Sequence, residues 1–182
     1  KESYLFVFGL ANASDGPGLG GGPDELDKAW AKRHGTSLLE SAQSMGAAAK
    51  PGTTVVLPGQ PGLVVTGIGG VDVTPEQVRR AAGNAVRAAA KVAGDRTLVV
   101  ALSFEAIEPE VLRGVAEGAL LGAYGYAKET RQEAKRPLGS LVVVSPAKDA
   151  KAHVDEATVV ATAVCRARDW VNTPPNALYP ET

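Results

Sequence analysis

Cysteine, histidine and aromatic residues are all scarce in this 182-residue chain. A lone cysteine, Cys165, leaves no internal disulfide framework and no cysteine-built zinc cage. The two histidines, His34 and His153, are too distant in sequence to form a local metal-binding pair on one helix. Neither charge sign dominates, with 19 basic and 20 acidic residues and a formal net charge of -1. Bulk charge therefore steers the chain toward neither nucleic acid nor anionic lipid. Three Phe, four Tyr and two Trp are also few for a surface that stacks bases. No apolar run approaches the ~20 residues of a membrane span. The short run Tyr4-Leu5-Phe6-Val7-Phe8 has no small-residue cleavage site behind it, so it reads as a first strand and not as a secretory leader. The chain starts without Met and stops at Tyr179-Pro180-Glu181-Thr182 with no helix end or charged tail. The expectation is a piece of a longer, cytoplasmic protein.

What is abundant is small and apolar. Hydrophobic residues make up 45% of the chain, rich in Ala, Val and Leu, alongside 21 Gly and 12 Pro. That is material for one ordinary domain. Period and breakers give an alternation of elements. Tyr4 to Leu10 reads as a buried strand, and Gly16 to Pro23, seven of eight residues Gly or Pro, as a loop. Asp24 opens a helix with Leu26, Ala29 and Trp30 on one face, closed by Gly35. Ser37 and Glu40 have capping-box spacing ahead of a short helix. Thr53 to Leu57 and Leu63 to Ile68 read as a hairpin. Thr74-Pro75-Glu76-Gln77 starts a helix that runs to about Ala93, where Gly94-Asp95 closes it. A strand over Thr97 to Leu102, a helix from Pro109 to about Tyr126 and a strand over Leu141 to Val144 follow. A long helix from about Asp149 to Val171 is stopped by Thr173-Pro174-Pro175. The Val142-Val143-Val144 run suits a sheet buried on both faces. The expected class is α/β, a three-layer α/β/α sandwich with a mixed sheet.

Few residues offer chemistry. Gly16, Gly18 and Gly21 satisfy a GxGxxG pattern, but Gly22 and Pro23 delay the helix that a dinucleotide site needs, and no Lys-Ser/Thr follows. Asp24, Glu25 and Asp27, then Glu108 and Glu110, then Asp155 and Glu156, read as acidic first turns of helices. His34 reads as a helix C-terminal partner, His153 as a solvated helix residue and Cys165 as a small hydrophobe. Arg79, Arg80, Arg87 and Lys91 form one basic helix face, and Arg131, Lys135 and Arg136 follow another; ordinary solvation accounts for both. No catalytic, cofactor-binding or metal-binding residue is assigned.

Two resemblances add to this reading. Asn12-Ala13, then Leu19-Gly20-Gly21-Gly22 and a helix with Asp24 near its start, resemble the ADP-ribose-binding loop of macro domains. The family's Asn-Ala-Ala-Asn is replaced by Asn12-Ala13-Ser14-Asp15, which sets an acid where the resemblance implies a neutral amide contacting the ligand, unfavourable for an anionic diphosphate. The longer match is at the other end. Arg168-Asp169-Trp170-Val171-Asn172-Thr173-Pro174-Pro175-Asn176 resembles the segment that joins the N-terminal and catalytic domains of the leucyl (cytosol) aminopeptidase family. Glu117-Gly118-Ala119-Leu120-Leu121-Gly122-Ala123-Tyr124, followed by Lys128, is similar to that family's Glu-Gly-x-x-Leu-x-x-Tyr helix. Thr74-Pro75 through Arg96 and the strand after it resemble the preceding helix-strand unit.

The resemblance implies a macro-domain-like N-terminal domain over residues 1–148. Residues 149–182 are then the connecting helix and linker to a catalytic domain that is absent here. It implies a bacterial parent enzyme that removes N-terminal residues from peptides with two divalent ions, manganese or zinc, and assembles as a homo-hexamer. The ions and the family's Asn-Thr-Asp-Ala-Glu-Gly-Arg signature belong to the following domain, since Asn172-Thr173 continues here into Pro174. The chain itself is then expected to be inactive, with no cofactor, no membrane or nucleic-acid partner, and peptide substrates bound elsewhere. The alternative is a free-standing macro-type ADP-ribose or nucleotide-binding module. On the last helix, Val154, Ala157, Val160, Ala161, Val164, Ala167 and Val171 exceed one core-facing stripe. The excess, with Trp170, Leu178 and Tyr179, is expected to pack on the missing domain.

Overall fold

The computed structural model describes residues 3–14, 16–21, 23–59, 62–70, 72–93, 98–104, 108–126 and 138–175. Its organising strand is the apolar run near the N-terminus, β1 (Ser3–Ala13). It is followed by β2 (Gly16–Leu19), α1 (Asp24–His34), α2 (Leu38–Ser44), β3 (Thr54–Leu57) and β4 (Gly62–Gly69). Then come α3 (Pro75–Ala93), β5 (Leu98–Ser103), α4 (Pro109–Gly122), β6 (Leu138–Val144) and α5 (Ala150–Asn172). The sheet order is β3-β4-β1-β5-β6, with β2 paired to β1 off that path. β1 runs parallel to both β4 and β5, and β5 runs parallel to β6. β3 is antiparallel to β4, so the sheet is mixed, as expected from the Pro58–Gly62 hairpin.

The Gly-rich segment departs from expectation, because Gly16–Leu19 is a strand and not a loop. It pairs antiparallel with β1, Leu10 opposite Leu19 and Ala13 opposite Gly16. Gly and Pro disfavour strands locally, yet a long-range vacancy overrides that preference. β5 stops pairing with β1 at Phe8, which leaves that flank of β1 open from Leu10 onward. β2 fills it, with the chain reversal eased by the positive φ of Gly16, 120°. Leu19 then packs against the core.

Helix ends follow their sequence signals. Ser37 and Glu40 make a reciprocal capping box at α2, and Thr74 and Gln77 exchange the same bonds at α3. Gly35 ends α1 in the left-handed region. Gly94 and Asp95 lie outside the described residues. α4 ends at Gly122, short of the expected Tyr126, and Tyr124 instead turns toward α5. α5 starts at Ala150, which puts Asp155 and Glu156 in its second turn and not its first. They serve as ion-pair partners there, Asp155 with Lys151 and Glu156 with Arg113.

Two apolar clusters sandwich the sheet. One joins Leu5, Val7, Val64 and Leu102 to α3 and α4, with Ala150 of α5 at its margin. The other joins Phe8, Leu10, Leu63 and Val65 to α2, with Leu26 and Trp30 of α1 half-buried against it. The second layer stops short of β6, so the expected double-sided burial fails there. Val142 and Val144 stand 44% and 48% exposed on the edge strand. Their neighbours Leu141 and Val143 face the α3–α4 cluster.

Candidate functional site

At the Gly-rich segment the structure builds a hairpin, not a phosphate cradle. The Gly20 amide, one a diphosphate would need, donates instead to the Gly9 carbonyl at 2.8 Å. Pro17 has no amide to offer. Asp15 and Gly22 lie outside the described residues.

The other candidates scatter. In the first turn of α1, Glu25 pairs with Lys28 at 2.8 Å, and Asp27 accepts from the Leu38 amide at 2.6 Å, tying α1 to the start of α2. His34 sits in the last turn of α1 and stacks on Trp30 with ring centroids 4.1 Å apart. Trp30 Nε1 donates to Ser41 Oγ at 2.8 Å. His153 is half-buried, and its buried Nδ1 has no hydrogen-bond partner among the described residues. Cys165 is a half-buried free thiol. Arg79 and Arg80 both bind Glu76, and Arg79 also reaches Glu117 at 3.8 Å. The Arg80 and then Arg79 guanidinium groups hold the Glu76 carboxyl below its ordinary value of 4.5. Arg87 donates to Asn84 at 2.7 Å. Glu108 precedes α4 and Glu110 lies in its first turn. Lys128, Arg131, Lys135 and Arg136 lie outside the described residues.

A cleft of about 370 Å³ between α3 and α4 is lined by Glu76, Arg79, Glu110, Arg113 and Glu117. Its arginines are committed, Arg79 as above and Arg113 to Glu156 at 3.4 Å. Among the described residues, no three His, Cys, Asp or Glu side chains gather in a way that could hold a metal ion. Among them too, no helix is long and apolar enough to cross a membrane.

What the fold does bring together is the pair of long sequence motifs. On α4, Gly114, Gly118 and Gly122 recur every four residues and so share one helix face. A methyl group at Gly118 would overlap the Arg79 carbonyl oxygen, and one at Gly114 or Gly122 would come within 2.6 Å of the Pro75 or Gly83 oxygen. The contacts advance together along both helices, so α3 and α4 run parallel at backbone-to-backbone distance. Glu117 beside them meets Arg79. Beyond the end of α4, the Tyr124 hydroxyl donates to Asp169 Oδ1 at 2.8 Å and accepts from Asn172 Nδ2 at 3.3 Å. The Arg168 guanidinium lies 5.4 Å from the Tyr124 ring centroid and donates to the Leu121 carbonyl at 3.5 Å. Partial burial pushes the Tyr124 phenol above its ordinary value of 10; Asp169 pushes the same way and the Asn172 amide opposes. Sequence reading found both motifs but not their meeting, across 45 residues. The signal available was the shared helical spacing of Cys165, Arg168, Asp169 and Asn172, which puts them on one side of α5.

Residues 9–132 match the family described as the cytosol aminopeptidase family, N-terminal domain. A probable cytosol aminopeptidase of Cutibacterium acnes is 37% identical over 180 residues, an overlap of 98% of this chain and 35% of the relative. One from Micrococcus luteus is 39% identical over 193 residues, covering 97% of this chain and 36% of that protein. Among solved structures, the bottromycin maturation enzyme BotP in complex with Mn is 28% identical with a TM-score of 0.67, over 98% of this chain and 34% of that one. A tomato leucine aminopeptidase mutant, 20% identical with a TM-score of 0.70 over 98% of this chain and 37% of its own, shares the fold. The chain thus spans a little over a third of the length of the curated relatives it matches.

Proposed function

We propose that this chain, which belongs to the cytosol aminopeptidase family and corresponds to its N-terminal domain, serves a bacterial leucyl aminopeptidase as a non-catalytic domain for assembly or regulation. In this reading residues 1–148 are the domain proper, and residues 149–182 are the helix and linker that lead into the catalytic domain. The parent enzyme removes N-terminal residues from peptides in the cytoplasm and works as a homo-hexamer. Two divalent ions, manganese or zinc, supply a Lewis-acidic site and an activated water in that following domain. The described residues of this chain do not fit such a centre, since no donor set gathers among them. Its own residues hold no part of the chemistry.

The observation that carries the reading is the extent of the match. Nearly all of this chain aligns with about a third of each relative. The nucleotide-module alternative loses support from the Gly20 amide, which is already bonded within the hairpin.

The experiment is direct. Purified 1–182, given manganese or zinc, should release no product from leucyl amides, while the protein extended to the relatives' length should turn over with the same metals. Metal-dependent turnover that co-purifies with the 182-residue chain would contradict the reading.

A further inference from the structure

The last two turns of α5 are nearly bare. Its buried residues are Ala157 and Ala161. Beyond them Trp170 is 64% and Val171 85% exposed. A helix end held by so little apolar area frays unless polar contacts fix it. Here three side chains from those turns converge on one phenol. Asp169 accepts from the Tyr124 hydroxyl, Asn172 donates to the same oxygen, and Arg168 covers the ring. A phenol suits this place because it donates and accepts at one atom and has a face for a cation. Asp169 is engaged a second time through its backbone. Its carbonyl accepts from the Thr173 amide at 2.8 Å and from Thr173 Oγ1 at 2.7 Å, and so marks the helix stop just before Pro174.

From this convergence we infer that Tyr124, with Arg168, Asp169 and Asn172, is a positioning clamp that sets the direction in which the chain leaves α5. The clamp ties the helix stop to the end of α4, and α4 is seated on α3 through its glycine face. Direction is thus passed from the core toward residue 173 through the Tyr124 side chain, with the Arg168 bond to the Leu121 carbonyl beside it. That the clamp orients a catalytic domain rests on the reading proposed above; the clamp itself rests on contacts within this chain.

Paired nitroxide labels test it, one at Lys91→Cys on α3 and one at Val171→Cys on α5, in a Cys165→Ala background. The reference chain should give a single narrow distance distribution. Tyr124→Phe should broaden it about twofold, as the last turns regain the freedom the contacts removed. Asp169→Ala and Asn172→Ala should broaden it too. Asp169→Asn keeps an acceptor for the phenol and should stay narrow. The Tyr124→Phe, Asp169→Ala double variant should be no broader than the wider single one. A lower melting midpoint with an unchanged width in Tyr124→Phe and Asn172→Ala would reduce these contacts to local stability and overturn the clamp. Broadening in Asp169→Asn equal to that in Asp169→Ala would overturn it as well. Both labels lie inside this chain, so failure of the aminopeptidase reading would leave these distributions as they are.

Discussion

On one face of the sheet, α4 lies against α3 through glycines, and α5 lies against α4 with Ala157 and Ala161 as its buried residues. On the other, α1 rests with Leu26 and Trp30 only half-buried and has no fully buried residue of its own. The first layer is fixed by backbone meeting backbone, where a single methyl group has nowhere to go. In the second, α2 buries Leu38 and Ala42, but α1 is tied to it by a few side-chain bonds, Asp27 to the Leu38 amide and Trp30 to Ser41, and has room around them. Both stretches whose sequence resembles the family's motifs, Glu117 to Tyr124 and Arg168 to Pro175, belong to the first layer. Gly118 and Gly122 in the one make packing contacts, and Tyr124 meets Arg168, Asp169 and Asn172 of the other.

The contrast should appear first in stability. Gly118→Ala sets a methyl group against the Arg79 carbonyl. Because the obstacle is backbone, α4 must shift, and the change should cost about 3 kcal/mol even after alanine's better helix propensity is credited. Leu26→Ala on α1 removes a larger but half-buried group and should cost only about 1 kcal/mol. Urea unfolding of the two variants measures both. Equal losses would erase the distinction between the layers.

A smaller effect concerns acid. Glu76 is held below its ordinary value of 4.5 by Arg80 and Arg79 at the start of α3. A carboxyl whose folded pKa is depressed contributes stability above its unfolded value and loses it as pH falls through the folded one. The melting midpoint should therefore fall more gently below pH 4.5 in Glu76→Gln than in the parent chain, and added salt should shrink the difference. Identical acid limbs would show that this surface cluster adds nothing.

Local signals announced much of this architecture. The apolar run of β1, the antiparallel pairing of β3 with β4 and the two capping boxes each follow signals within a few residues, and each formed as expected. Those that failed depend on distant partners. β2 forms because β5 ends early, which nothing within Gly16–Leu19 records. Val142 and Val144 are exposed because α1 and α2 cover only part of their face. The excess apolar surface on α5 was readable, and Val160, Val164 and Val171 do stand exposed; Leu178 and Tyr179 lie outside the described residues. At the junction, Tyr124 and Asp169 were recognisable as motif members, but their contact is a product of helices α4 and α5 lying in register.

Native-state amide exchange across the whole chain tests the difference between the layers most directly. The amides of α4 should exchange only through opening of the whole domain, whereas those of α1 should open locally and exchange at least ~100-fold faster. Equal protection of α1 and α4, or an α4 that opens first, would contradict the claim that the family's residues build the rigid layer.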